Sequence, residues 1–104
     1  MTEPYHIILS DDLAEELEEI FDYIARESPA NASRLIGQIR DAIEGLKLFP
    51  LRQIVAGEEN SLNPVRSLPA GNYIIFFRVF EQRRAVHVLH VWHGARRRPM
   101  GFGK

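Results

Sequence analysis

Residues 73–80 read YIIFFRVF, and every position except Arg78 carries a β-branched or aromatic side chain. Side chains of this kind favour a β-strand. Successive side chains of a strand point to opposite faces. The run therefore divides into two sets, with Tyr73, Ile75, Phe77 and Val79 on one face and Ile74, Phe76, Arg78 and Phe80 on the other. The charge of Arg78 indicates that the second set faces away from the core.

This second set is unusually apolar for the outer face of a sheet. One layer of helices covers a single face of an antiparallel sheet, and the other face is normally polar. Full burial of Ile74, Phe76 or Phe80 would be worth roughly 1.5–3 kcal/mol for each side chain. Either a loop or the C-terminal tail folds over these three residues, or a partner chain binds them. We favour a partner, because contiguous apolar patches usually mark interfaces.

Two amphipathic helices are predicted upstream, after a first strand at residues 5–9. Ser10 can cap the first helix, and its apolar residues recur at helical spacing: Leu13, Leu17, Ile20, Phe21 and Ile24. The opposite face of this helix is acidic, and we expect it to be solvated. Ser28-Pro29 ends the first helix and starts the second, which stops by Phe49-Pro50. The short link predicts an antiparallel helical hairpin.

The second half of the chain has the composition of β-structure. Residues 51–64 are expected to be a loop, followed by a strand at residues 65–68, a turn at 69–72, the strand at 73–80, a turn at 81–84 and a last strand at 85–92. The order β-α-α-β-β-β predicts an α+β fold, with an N-terminal helical hairpin packed on an antiparallel sheet. We expect one domain over residues 1–104, in which residues 97–104 form a basic tail.

Charge is distributed unevenly along the 104 residues. Residues 1–65 contain 5 Lys and Arg against 13 Asp and Glu, whereas residues 66–104 contain 8 against 1. The basic second half is expected to meet an anionic partner. The chain has no cysteine, which excludes disulfides and thiolate metal sites. The apolar run at residues 7–9 is too short for a signal peptide or a membrane span, so a cytoplasmic protein without membrane contact is expected.

The last strand contains three histidines at intervals of three residues: His87, His90 and His93. Such a group could be a metal site. Strict alternation would place His90 opposite the other two, and would separate His87 from His93 by roughly 20 Å. We therefore expect no metal ion and no other cofactor. His93 is the one candidate general base, with an ordinary pKa near 6.5. The alternative is a strand-end histidine that bonds the turn at Gly94.

Several short segments, in the same order and at the same spacing, resemble the ParE-type toxins of the RelE/ParE superfamily. The segment at residues 71–78, GNYIIFFR, resembles their central strand, and the segment at residues 91–96, VWHGAR, resembles their closing signature. Residues 21–24, 48–50 and 65–69 resemble the ends of the two helices and the next strand. The resemblance runs from about Tyr5 to Arg96, nearly the whole chain.

The resemblance implies a toxin that is neutralised by a cognate, mostly acidic antitoxin of the ParD type. ParE-type members poison DNA gyrase, whereas RelE-type relatives cleave messenger RNA on the ribosome. No direct sequence-specific DNA binding is expected from the toxin alone. From the position of the basic residues in the predicted fold, we expect the target to be bound by Arg66, Arg78, His93, Arg96, Arg97 and Arg98. The antitoxin is expected to bind the apolar residues Ile74, Phe76 and Phe80.

Two positions depart from the RelE-type pattern. The arginine that follows the strand tyrosine in those nucleases is replaced by Ile74, and their C-terminal tyrosine falls near Met100, where Phe102 carries no hydroxyl. If the chain were a nuclease, its catalytic residues would be His93, Arg78 and Arg96. We expect instead an inhibitor that acts by binding. A ribosome-dependent endonuclease and a toxin fold with weak or lost activity remain as alternatives.

Overall fold

The computed structural model describes residues 3–94. Two helices pack on one face of a five-stranded sheet, and short 3-10 turns occupy Pro50–Arg52 and Glu81–Arg83. The elements are β1 (His6–Leu9), α1 (Asp11–Ala25), α2 (Pro29–Gly45), β2 (Ile54–Gly57), β3 (Val65–Ala70), β4 (Tyr73–Phe80) and β5 (Ala85–His93). The predicted α+β architecture with a helical hairpin is confirmed. In the described part of the chain, neither helix is long and apolar enough to cross a membrane.

The sheet has the strand order β1-β5-β4-β3-β2 and is mixed. β1 runs parallel to β5, while the other neighbouring strands are antiparallel. The sequence prediction missed β2, which lies in the expected loop. Only Ile54 and Val55 of its four residues are β-branched, too few to establish an alternating pattern. The strand is formed by pairing with β3, and the Arg66 guanidinium donates to the carbonyl oxygen of Gln53 just before it.

The two helix starts are stabilised in different ways. The Ser28 hydroxyl accepts a hydrogen bond from the backbone N–H of Asn31, as a capping serine should. Ser10 occupies the N-cap position of α1, but the predicted side-chain cap is absent. Its hydroxyl donates instead to the carbonyl oxygen of Leu89, at 2.8 Å. Ser10 therefore fastens the start of α1 to β5.

The turn between β3 and β4 is tighter than predicted. β3 continues through Pro69 to Ala70 and leaves only Gly71 and Asn72 in the turn. Pro69 lies beyond the part of β3 that pairs with β2, so its missing N–H costs no bond to β2. Gly71 has a φ of +61°, a conformation that glycine adopts without strain.

Apolar clusters lie on both faces of the sheet. The larger one fills the space between the helices and the inner face, where the side chains of Ile75, Phe77 and Val79 point as predicted. The smaller one, which we call the outer cluster, consists of Val65, Phe76, Leu89 and Trp92, with Ile74 packed against it. Phe76 is completely buried, so the outer face of β4 is not the uniformly open patch that alternation predicts.

A β-bulge in β5 changes which way its histidines face. Phe76 lies opposite His90 and Phe77 lies opposite Val88, so Leu89 is an extra residue. In the residues of β5 after Leu89, the alternation of side chains between the two faces is therefore shifted by one position. His87 and His90 therefore share the outer face and His93 lies on the inner face opposite Tyr73, contrary to the predicted arrangement. Periodicity alone gives no sign of a bulge.

Since both faces of β4 are packed, truncation on either face should be costly. We expect Phe76→Ala and Phe77→Ala each to lower the free energy of unfolding by about 3–5 kcal/mol. Urea denaturation followed by circular dichroism measures both. A loss below about 1 kcal/mol for Phe76→Ala would show that the outer cluster is not a second core.

Candidate functional site

Glu16 joins α1 to the free edge of β5. β1 pairs with β5 only as far as Leu9 opposite Val88, and α1 lies along the remainder of the strand. There the Glu16 carboxylate accepts hydrogen bonds from the backbone N–H of Val91 at 3.0 Å and from Nε1 of Trp92 at 3.1 Å. It also accepts from Nδ1 of His90 at 2.7 Å. One side chain thus satisfies a strand-edge amide and two ring nitrogens.

This role of Glu16 corrects the expectation that the acidic face of the first helix is only solvated. Glu16 lies three residues after Leu13 and four before Ile20, both of which are buried. That spacing places it beside the apolar stripe of α1, and it is the sequence signal that distinguishes Glu16 from the other carboxylates of the helix. The two rings that it binds are stacked, with centroids 4.5 Å apart. The ring centroids of Trp92 and Phe76 are 5.3 Å apart, so Trp92 connects Glu16 to the outer cluster.

An open groove of about 790 Å³ lies between α1 and the ends of β4 and β5. One wall is formed by charged and aromatic residues of α1 and the turn after it, and the other by strand residues: Glu19, Asp22, Tyr23 and Arg26 against Tyr73, Val91, Trp92 and His93. The rings of His93 and Tyr73 pack edge to face, with their centroids 5.2 Å apart. The groove is the concave surface on which His93 can meet a ligand.

Arg66 and Arg78 lie on opposite faces of the sheet. Arg66 is opposite Phe77 on the helix side, and its guanidinium donates to the carbonyl oxygen of Gln53 at 2.8 Å. Arg78 is on the outer face, where it donates to the carbonyl oxygen of Asn63 and pairs with Glu58, both at 2.8 Å. The hydrogen bond from Arg78 lowers the pKa of the Glu58 carboxyl. Each arginine therefore holds the loop segment next to it.

The predicted target-binding residues do not converge within the described part of the chain. Arg78 and His93 are on opposite faces and five positions apart along β4, or roughly 17 Å. Arg66 faces the same side as His93 but is near the other end of the hairpin. Arg96, Arg97 and Arg98 lie outside the described residues. The residues named as a nuclease alternative, His93 and Arg78, consequently cannot act on one phosphate in this arrangement.

His87 lies in an environment that disfavours its protonated form. Burial lowers its pKa, and the positive charge of Arg83 lowers it further. Its ring lies 4.7 Å from that of Phe80, and within residues 3–94 its Nε2 is buried without a hydrogen-bond partner. In the same range, no group of three His, Asp or Glu side chains is placed to hold a metal ion.

Comparison with known protein families gives a match over most of the chain. The model of the family described as "ParE toxin of type II toxin-antitoxin system, parDE" matches residues 7–98. No curated protein sequence matches the chain.

Several solved structures share the fold. A structure of a chromosomal ParDE toxin–antitoxin system from P. aeruginosa has 18% identity and a TM-score of 0.68, over 88% of this chain and 98% of that chain. The RelBE2 toxin–antitoxin complex from Mycobacterium tuberculosis has 20% identity and a TM-score of 0.63, over 92% and 98%. A RelE–RelB complex from Pyrococcus horikoshii has 14% identity and a TM-score of 0.61, over 90% and 99%. Because both ParE and RelE structures are similar, the fold alone does not identify the target.

The Glu16 contacts predict a specific loss of stability. Glu16→Gln keeps the shape but places an amide N–H₂ against donors, so the free energy of unfolding should fall by about 1–3 kcal/mol. Glu19→Gln, on the exposed side of the same helix, is the matched control and should change it by less than about 0.5 kcal/mol. Urea denaturation of both variants checks this. Equal effects would show that the three Glu16 contacts contribute nothing to stability.

His87 predicts a dependence of stability on pH. Its folded-state pKa lies below the ordinary 6.5, so the folded protein favours the neutral ring. The stabilisation is complete above the unfolded-state pKa and is lost as the pH falls through 6.5 towards the folded-state value. His87→Phe removes the titrating group and should flatten this loss, measured as the urea midpoint across a pH series. His6→Phe, at an exposed position, is the control, and an unchanged slope in His87→Phe would contradict the assignment.

Proposed function

The chain belongs to the ParE toxin family of type II toxin–antitoxin systems, and on that premise we propose that it arrests growth by binding DNA gyrase and is neutralised by a cognate antitoxin. In this proposal the chain is an inhibitor, and gyrase supplies the chemistry by cleaving DNA. The observation that supports binding rather than phosphodiester cleavage is the separation of His93 from Arg78 across the sheet.

RNA cleavage through the 2′-hydroxyl requires a proton acceptor, a proton donor and a cation at one phosphate. Arg78 is engaged by Glu58 and by the carbonyl oxygen of Asn63, and it faces away from His93. The position that bears arginine in RelE-type nucleases is Ile74, which is half-buried against the outer cluster. An inhibitor needs no such convergence, because it acts through the surface that it presents.

We assign the target-binding surface to the groove end of the sheet. His93 lines the groove there, and the sequence continues within three residues into Arg96, Arg97 and Arg98. These cations suit an anionic surface, either on gyrase or on the DNA that gyrase holds. Arg66 and Arg78 contribute indirectly in this proposal, since their guanidinium groups hold the loop segments beside β3.

The antitoxin is proposed to bind over the outer face of β4. The structures of similar fold include toxin–antitoxin complexes, and the sequence assigns the contact to Ile74, Phe76 and Phe80. Phe76 is fully buried, so the accessible part of this surface is the half-exposed rim formed by Ile74 and Phe80. An antitoxin would extend the outer cluster at that rim.

Induced expression tests the proposed target. Gyrase poisoning should cause filamentous growth and a DNA-damage response while protein synthesis continues, and co-expression of the antitoxin should prevent both. Replacing Arg96, Arg97 and Arg98 together with alanine should abolish the arrest without unfolding the chain. The matched control replaces Arg34, Arg40 and Arg52, which are exposed and lie outside the groove, and should remain toxic.

Two outcomes would overturn the proposal. Prompt loss of protein synthesis with messages cut at ribosomes would indicate a ribonuclease. Undisturbed growth, with the folded chain present in the cell, would indicate that activity is weak or lost.

A further inference from the structure

The edge formed by β2 is an open and apolar surface that the proposed function does not use. β2 is the last strand of the sheet as described and pairs with β3 along one side. Ile54 at its start is 76% exposed, and the segment before it contains three more exposed apolar residues, Leu48, Phe49 and Leu51. Exposed strand edges and contiguous apolar patches both promote association with another chain.

Contacts with β3 hold this edge in place. The Arg66 guanidinium donates to the carbonyl oxygens of Gln53 at 2.8 Å and Leu51 at 3.4 Å, and so ties the segment before β2 to β3. The guanidinium carbon of Arg52 lies 4.2 Å from the centre of the Phe49 ring. The edge is therefore preorganised, and little conformational entropy remains to be lost when it pairs.

The charges at the two ends of β2 are opposite. Exposed Arg52 precedes the strand, and exposed Glu59 follows it. From this arrangement we propose that β2 pairs antiparallel with β2 of a second copy of the chain, around a two-fold axis between Val55 and Ala56. The Arg52 end of each β2 then lies beside the Glu59 end of the other, and the symmetry makes this contact twice.

The faces of β2 agree with that register. In an antiparallel pair, residues directly opposite each other share a face. Ile54 would lie opposite Gly57 of the second copy, and both are on the outer face, since they lie opposite Ser67 and Val65 of β3. The irregularity between Val55 and Gly57 is what brings these two positions onto one face. Gly57 has no side chain, so it leaves space for the exposed Ile54.

The same charges favour a second copy over an acidic peptide as the occupant. An acidic strand would gain from Arg52 but would be repelled by Glu59, whereas a second copy matches both ends. Four residues of pairing form a small interface, so the dimer should be reversible and concentration-dependent, with a dissociation constant on the order of micromolar. The inference does not depend on the identity of the toxin's target.

Sedimentation velocity of the purified full-length chain, over a series of concentrations, tests the dimer. We expect the average mass to rise from monomer to dimer. Ile54→Lys should abolish this rise, because it places a cation where the apolar side chain of Ile54 would pack beside Gly57 of the second copy. Leu62→Lys is the matched control: Leu62 is 97% exposed but lies outside β2, and this variant should dimerise normally.

A charge exchange makes the test specific to the antiparallel arrangement. Arg52→Glu or Glu59→Arg alone creates two like-charge contacts and should raise the dissociation constant about tenfold. The double variant Arg52→Glu/Glu59→Arg restores both opposite-charge contacts and should recover the original value. Circular dichroism confirms that each variant is folded.

Three results would overturn the inference: a monomer at all concentrations, a dimer that survives Ile54→Lys, or a double variant no tighter than its single parents. A monomer whose Ile54→Lys variant loses antitoxin binding would assign the edge to the antitoxin instead.

Discussion

The unequal lengths of β1 and β5 impose a constraint on which the rest of the structure depends. β1 pairs with the first half of β5, and the second half would have unpaired amides beneath α1. Ser10 and Glu16 supply the missing partners, one at the carbonyl of Leu89 and one at the amide of Val91. These bonds place α1 along β5. The groove that His93 lines follows from that placement, as does the stack of His90 on Trp92.

A second consequence concerns the sheet itself. Both helices lie on one side, and the apolar side chains of the outer face pack against one another. β4 contributes Phe76 to this outer cluster and Phe77 to the inner core. The bulge at Leu89 directs an additional side chain into the outer cluster. Arg78 lies on the outer face of the sheet and His93 on the inner face. The sheet therefore separates a cation and a histidine that a nuclease would need at the same phosphate.

The features that repeat along the sequence were predictable, and the features that arise from pairing were not. Alternation in β4 and helical spacing in α1 and α2 predicted which side chains meet in the inner core. β2 has too few β-branched residues to be recognised, and a bulge leaves no periodic trace, so the facing of His90 and His93 was predicted wrongly. The position of Ser10 at a helix start was predicted correctly. Its hydroxyl, however, donates to β5, which begins 75 residues later in the sequence. The spacing of Glu16 from Leu13 and Ile20 was visible in the sequence, but its three donors come from the other end of the chain.

We propose above all that this chain of the ParE toxin family acts by binding gyrase rather than by catalysing a reaction itself. Purified gyrase, supercoiled plasmid and ATP, incubated with the chain and then treated with detergent and protease, test this directly. The account predicts linear plasmid whose amount rises with the amount of toxin and disappears when the antitoxin is added. Plasmid that stays uncleaved, together with messenger RNA that the same preparation cuts in a translation extract, would contradict it.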